Sequence, residues 1–168
     1  MIRLSGWGFT MGTLKQFELW LSMTAFGTWA TKTIASRIDP VIFRLTGGRL
    51  TSLGPVVIPQ LLLTTTGRKS GQQRDAQLVY TDVDGVVHIV ASNFGGERHP
   101  AWSHNLIAEP KASIQLGNQK TTVIAELLND EEKESVWEQL VSNIPNYSAY
   151  KARTDRNIKV YRLIPCGG

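Results

Sequence analysis

Three cations, Arg68, Lys69 and Arg74, fall close together in the stretch LLLTTTGRKSGQQRDAQLVY, residues 61–80. Gly67 and Gly71 flank the first two and permit positive φ. Cationic side chains beside flexible backbone N–H groups can cradle an anion. The same residues also suit a solvated hairpin tip. A second group begins at Ser92 and runs through Asn93, Gly95 and Gly96 to Pro100, where a helix is predicted. The free N–H groups of its first turn can face an anion or a ring carbonyl. Trp102 and Asn105 lie three apart on that helix and share a side. Core packing would explain the tryptophan, and a helix surface or cap the asparagine. Tyr147 and Tyr150 repeat the spacing near the C-terminus, either as a pocket wall or as a packed aromatic pair.

Familiar catalytic sets are missing. Gly67-Arg68-Lys69-Ser70 lacks the Gly-Lys-Ser core and the strand–loop–helix context of a Walker loop. His99 and His104 are five apart, which does not align them for zinc, and no metal site is expected. There is no Gly-x-Ser-x-Gly elbow. With no nucleophile–base set and no convincing carboxylate pair, the chemistry is expected to come from a cofactor, phosphorylated and aromatic by the groups available to hold it.

The elements that must position these residues follow from periodicity. Strands are predicted over 61–66, 77–81 and 86–92, with Asp84-Gly85 as a hairpin turn. A helix follows over 100–108, then strands over 112–116 and 120–128 joined at Gly117-Asn118. Asn129-Asp130 caps a helix to about Ser142, with acids in its first turn. A short helix near Tyr147 and a last strand over 158–163 complete the order β-β-β-α-β-β-α-β. Three hairpin-linked pairs exclude a repeating βαβ pattern, leaving a small, mainly antiparallel barrel with helices at its openings.

The chain has 168 residues and a net charge of +4. Residues 1–50 carry all of the excess, with six cations against two anions; the other twelve cations balance twelve anions. That argues for an attached basic segment and against a nucleic-acid-binding face over the whole domain. This N-terminal segment reads as amphipathic and aromatic, helical from about Thr13 to Ile38, with a restart at Asp39-Pro40 where Asp39 would be the N-cap. Its composition suits an anionic membrane surface, or packing on a barrel mouth or a partner. No apolar run spans a bilayer and no signal-peptide pattern is read. The single cysteine, Cys166, excludes a disulfide framework and fits a cytoplasmic protein.

Several segments in order resemble one family. They are Thr64-Thr65-Thr66-Gly67-Arg68-Lys69-Ser70-Gly71-Gln72-x-Arg74, the stretch from Ala91-Ser92 to His99-Pro100-Ala101-Trp102-x-x-Asn105-Leu106, Pro145-x-Tyr147-x-x-Tyr150, and Thr154-Asp155-Arg156. Together they resemble the deazaflavin-dependent nitroreductases, which use coenzyme F420 and include quinone reductases. The resemblance runs from about Leu50 to Pro165, and Ile38-Asp39-Pro40 and Gly47-Gly48-Arg49-Leu50-Thr51 share it.

The resemblance implies an α+β, mainly β, split β-barrel of residues 51–168, preceded by the helical segment 1–50. It also implies reduced F420 as hydride donor. Lys69 and Arg74, assisted by Arg68, would hold its phosphate or acidic tail. Ser92, the backbone from Asn93 through Gly95 and Gly96, Trp102 and Asn105 would line it. Tyr147, Tyr150 and Ser92 would face an acceptor: a menaquinone-like quinone or another electron-poor compound, nitroaromatics included. A quinone substrate would place the protein on the inner face of the membrane. The chain departs from the family at Gln73 and Gln77, where proline is common, at Asn93-Phe94, where lysine with glycine is common, and at Arg153, where a bulky aromatic can stand. These changes touch the pocket wall and bear on the substrate more than on the cofactor. Two other readings fit the residues: an FMN-dependent split-barrel enzyme, and a non-catalytic F420-binding protein at the membrane surface.

Overall fold

The computed structural model describes residues 36–52, 54–56 and 58–166. The aromatic helix expected over Thr13–Ile38 falls almost wholly outside them. The described chain opens on helix α1 (Ser36–Leu45), followed by two short paired strands, β1 (Leu50–Thr51) and β2 (Gly54–Pro55). Then come β3 (Gln60–Thr66), β4 (Gln73–Val83) and β5 (Val86–Val90), a 3-10 turn at Asn93–Gly95 and helix α2 (Ala101–Ala108). Strands β6 (Lys111–Leu116) and β7 (Gln119–Leu127), helices α3 (Asp130–Asn143) and α4 (Asn146–Ala152), and strand β8 (Val160–Pro165) complete it.

The six longer strands close into an antiparallel barrel in the order β3-β4-β5-β8-β7-β6. Local turns set the β3–β4, β4–β5 and β6–β7 pairings. Asp84 and Gly85 both take positive φ, 52° and 81°, as a two-residue hairpin between Val83 and Val86 requires. The seam is not set this way. Strand β3 meets β6 only over Leu62↔Gln115, Leu63↔Ile114 and Thr64↔Ser113.

Alternation along the strands makes two cores. Leu61, Leu63, Ile89, Ala112, Ile114, Val123, Tyr161 and Leu163 fill the barrel, and Trp102 and Leu106 of α2 pack into it. Val83, Val90 and Val160 face outward and are covered by Leu140, Ile144, Tyr147 and Tyr150 of the α3–α4 side. Helix α3 begins at the cap expected: Asn129 Oδ1 accepts from Glu132 N–H and Glu132 Oε2 accepts from Asn129 N–H, both at 2.9 Å.

Two local expectations change. Asp39 is not an N-cap. It lies inside α1, beside Pro40, and its carboxylate accepts from Ser52 N–H at 2.7 Å. Helix α1 also lies on the barrel, with Phe43 buried and Arg44 ion-paired to Asp75 of β4. The second strand of the basic hairpin starts at Gln73, four residues before the predicted start, so Arg74 and Asp75 lie within β4.

Candidate active site

The hairpin that carries the cations is a built structure. Gly67 N–H donates to Gln72 O at 2.8 Å, closing a six-residue loop between Thr66 and Gln73. Gly71 N–H returns to Gly67 O at 2.7 Å. Arg68 and Lys69 are exposed on the loop. Arg74 sits opposite Thr65 in the β3–β4 register, so it shares the inward face of the sheet at the barrel rim. Its Nη2 donates to Gln72 Oε1 at 3.1 Å. Among the described residues no carboxylate pairs with Arg68, Lys69 or Arg74. The nearest acid in sequence, Asp75, is on the outer face and is already shared by Arg44 and Thr64.

Asn105 ties this loop to α2. Its Oδ1 accepts from Arg68 N–H at 3.1 Å, and its Nδ2 donates to Thr65 Oγ1 at 3.0 Å. Asn105 is buried, so neither surface nor capping describes it. Trp102 shares its side of the helix and is also buried, its ring edge-on to Tyr161 at 5.7 Å between centroids. Helix α2 is held from below as well, where Ser103 Oγ and Tyr161 Oη lie 2.8 Å apart.

The loop that leads into α2 connects to the tyrosines. Asn93, Phe94 and Gly95 all have positive φ, at 47°, 57° and 75°. Gly95 is pressed onto α4. A Cβ placed there would lie 2.8 Å from Arg153 Cβ and 2.9 Å from Tyr150 O. The Phe94 and Tyr150 rings meet edge-on at 5.9 Å, and Tyr147 and Tyr150 at 6.4 Å. Ser92 O accepts from Gly95 N–H, and the Ser92 hydroxyl does not cap the turn.

Both tyrosines are buried in the outer core. Burial, and then the neighbouring Tyr150, push the Tyr147 phenol well above its ordinary value of 10. At neutral pH Tyr147 therefore keeps its proton and can serve as a hydrogen-bond donor.

The structure thus links the three predicted groups through α2 and the loop before it. The hairpin joins Asn105, α2 joins the Ser92 loop, and that loop joins Tyr150. Asn105 lies four residues along α2 from Ala101, so the hairpin contact and the loop end are about 6 Å apart along the helix at 1.5 Å per residue. Two residues outside the predicted site belong to this frame. Thr65 anchors Asn105, and Arg156 contacts the Ser92 loop at three points. Arg156 was legible as part of the Thr154-Asp155-Arg156 motif, but its reach across the fold was not.

A small antiparallel barrel whose rim hairpin carries three cations with no carboxylate partner among the described residues is a frame suited to an anionic cofactor. Comparison with known proteins narrows the class. Residues 35–165 match the family of F420H(2)-dependent quinone reductases. An F420H(2)-dependent quinone reductase of Mycobacterium tuberculosis is 37% identical over 130 residues, which is 76% of this chain and 87% of that protein. A Mycobacterium bovis protein described as a F420H(2)-dependent quinone reductase matches over the same share at the same identity. The solved structure of an F420-H2 dependent reductase has a TM-score of 0.58 at 38% identity, over 62% of this chain and 93% of its own. A domain-swapped dimer gives 0.59 at 35%, over 73% and 91%. The chain belongs to the F420H(2)-dependent quinone reductase family, and the barrel is the split β-barrel that the resemblance implied.

Proposed function

We propose that the protein reduces a quinone, menaquinone-like in type, or another electron-poor acceptor, nitroaromatics included, at the expense of reduced F420. The observation that carries the cofactor reading is the hairpin. Arg68, Lys69 and Arg74 lack an acidic partner among the described residues, and Asn105 fixes the loop that bears two of them. Three uncompensated cations on a braced turn fit an acidic, phosphate-bearing tail. When bound, the reduced deazaflavin supplies a hydride.

The chain's own residues supply place and polarity. Lys69 and Arg74 hold the tail, with Arg68 beside them. Asn105 and the backbone of the Ser92–Gly96 loop form the wall along which the cofactor lies, and Trp102 supports that wall from the core side. Tyr147 and Tyr150 flank the acceptor. Tyr147 keeps its proton and donates a hydrogen bond to the oxygen that gains charge, together with the Ser92 hydroxyl. The second proton of the quinol comes from solvent.

Anaerobic mixing of the protein with reduced F420 and a soluble quinone tests the activity. The expected result is F420 reoxidation well above the protein-free rate, and its absence would sink the enzyme reading. Replacing Lys69 and Arg74 by Ala tests the cradle. Charged hydrogen bonds of this kind contribute about 1.5–3 kcal/mol each, so F420 affinity should fall by tenfold or more and lose much of its salt dependence. An unchanged affinity would remove the cradle.

A second reading concerns location. Ile38, Val41 and Leu45 form one exposed apolar stripe along α1, by their i, i+3, i+7 spacing. We infer that this stripe seats the protein on an anionic membrane, a surface that the net positive charge of residues 1–50 also favours. No described helix is long and apolar enough to cross a membrane. Val41→Glu with Leu45→Glu should lower co-sedimentation with anionic vesicles while sparing turnover of a soluble quinone. Equal sedimentation of the two proteins would overturn the membrane contact.

A further inference from the structure

Arg156 lies partly buried in the segment between α4 and β8. Its guanidinium spends three donors on one loop. Nε donates to Gly96 O at 2.9 Å and Nη2 to Ser92 O at 2.6 Å, and Nη1 lies 2.9 Å from His99 Nδ1. These acceptors span the whole connection from β5 to α2. That connection carries Asn93 and Phe94 in the left-handed region, a conformation that persists only where the surroundings impose it.

The third contact is conditional. Arginine and lysine can only donate, so a neutral His99 has one bare nitrogen to offer, to Arg156 at Nδ1 or to Lys159 at Nε2, and a protonated His99 has none. The groups that act on the His99 charge are Lys159, whose Nζ lies 3.1 Å from Nε2, Arg156 itself, and His104, whose ring is 5.9 Å away on α2, all basic. Asp130 and Lys133 of α3 line the same pocket and are ion-paired to each other. Burial comes first, and the basic neighbours second, in holding His99 below its ordinary value of 6.5. Protonating His99 removes the acceptor and sets a further cation between Arg156 and Lys159.

We propose that Arg156 is a positioning residue that holds the Ser92–His99 loop in its cofactor-facing conformation, and that neutral His99 is the latch that acid releases. The inference rests on the reading that this loop lines the F420 site.

The experiment uses the full chain with Arg156→Met, Arg156→Lys and His99→Asn. Amide exchange across 92–99 reports the loop, and fluorescence titration with F420 at pH 7.5 and 5.5 reports the site. Comparing proteins at each pH cancels any titration of F420 itself. Arg156→Met should lose protection over 92–99 and bind F420 about tenfold more weakly, as loss of charged hydrogen bonds predicts. Arg156→Lys should recover little, because an ammonium lacks the planar fork. Wild type should bind more weakly at pH 5.5 than at 7.5. His99→Asn places an acceptor, Oδ1, that acid does not protonate, so this difference should shrink. Unchanged exchange over 92–99 in Arg156→Met overturns the clamp. Lost protection with unchanged F420 affinity, while the Lys69 and Arg74 double variant still binds weakly, overturns positioning and leaves the cradle standing. If none of these variants changes affinity, the cofactor site itself is misplaced and the inference falls with it. If Arg156→Met does not fold, His99→Asn decides: a pH response equal to wild type overturns the latch.

Discussion

Replacing Gly95 by Ala tests whether the Ser92 loop and α4 form one wall. Two costs add. The residue sits at φ +75°, where a side chain costs about 1–2 kcal/mol. The new Cβ would also lie 2.8 Å from Arg153 Cβ and 2.9 Å from Tyr150 O. Neither atom is the loose end of a side chain, so the loop and helix must separate, at about 1–3 kcal/mol by analogy with overpacked cores. The total is about 3 kcal/mol, which for a chain of this size lowers Tm by about 6–12 °C. Gly85→Ala is the matched control. Gly85 has φ +81°, and a Cβ added there would meet nothing within 4 Å, so it carries the strain alone, about 1–2 kcal/mol. Thermal unfolding of both variants, with F420 titration on each, separates the effects. Gly95→Ala should lose more stability than Gly85→Ala and should alone lose F420 affinity. Equal losses of Tm, or unchanged affinity in Gly95→Ala, would refute the close approach as the device that joins the cofactor loop to the tyrosines.

Asn105→Ala strands the Arg68 N–H and leaves Thr65 Oγ1 only its long bond to Arg74 O, so it should cost about 1–3 kcal/mol and speed exchange at the Arg68 amide; an unchanged amide would show that Asn105 does not brace the hairpin. His99 sits below its ordinary 6.5 in the folded state, so the unfolded chain binds its proton more readily. Its contribution to stability is complete above about pH 6.5 and is lost as pH falls from there through the lower folded value. Denaturant midpoints should therefore drop across that window by more in wild type than in His99→Asn. Tyr147 is held protonated beyond its ordinary 10, so turnover should show no alkaline limb from this residue up to pH 10. Tyr147→Phe should lower kcat at constant F420 affinity, and a reduced F420 affinity instead would move Tyr147 to the cofactor side.

Local patterns carried much of this fold. The Asp84-Gly85 turn, the Asn129 helix cap and the strand alternation were readable because each depends on a few neighbouring residues. The hairpin cations, the Ser92 loop and the Trp102–Asn105 spacing were readable for the same reason. What escaped were terms set by distant partners. Arg74 was read as following the turn, yet pairing with Thr65 draws it into β4. Asp39 had the form of a cap, yet the helix runs through it and Ser52 takes its carboxylate.

Short-range patterns in the amino-acid sequence alone determined the order of the barrel strands and helices, the turn chemistry, and the motif set that marks an F420-using family. The non-local pairings, β5–β8, β7–β8 and the closure of β3 on β6, came from the fold, since no local signal specifies them. Tertiary contacts alone also set the burial that raises Tyr147 and the three contacts by which Arg156 grips a loop about sixty residues earlier. Burial and long-range hydrogen bonds depend on which surfaces meet, and that is fixed only when the barrel closes.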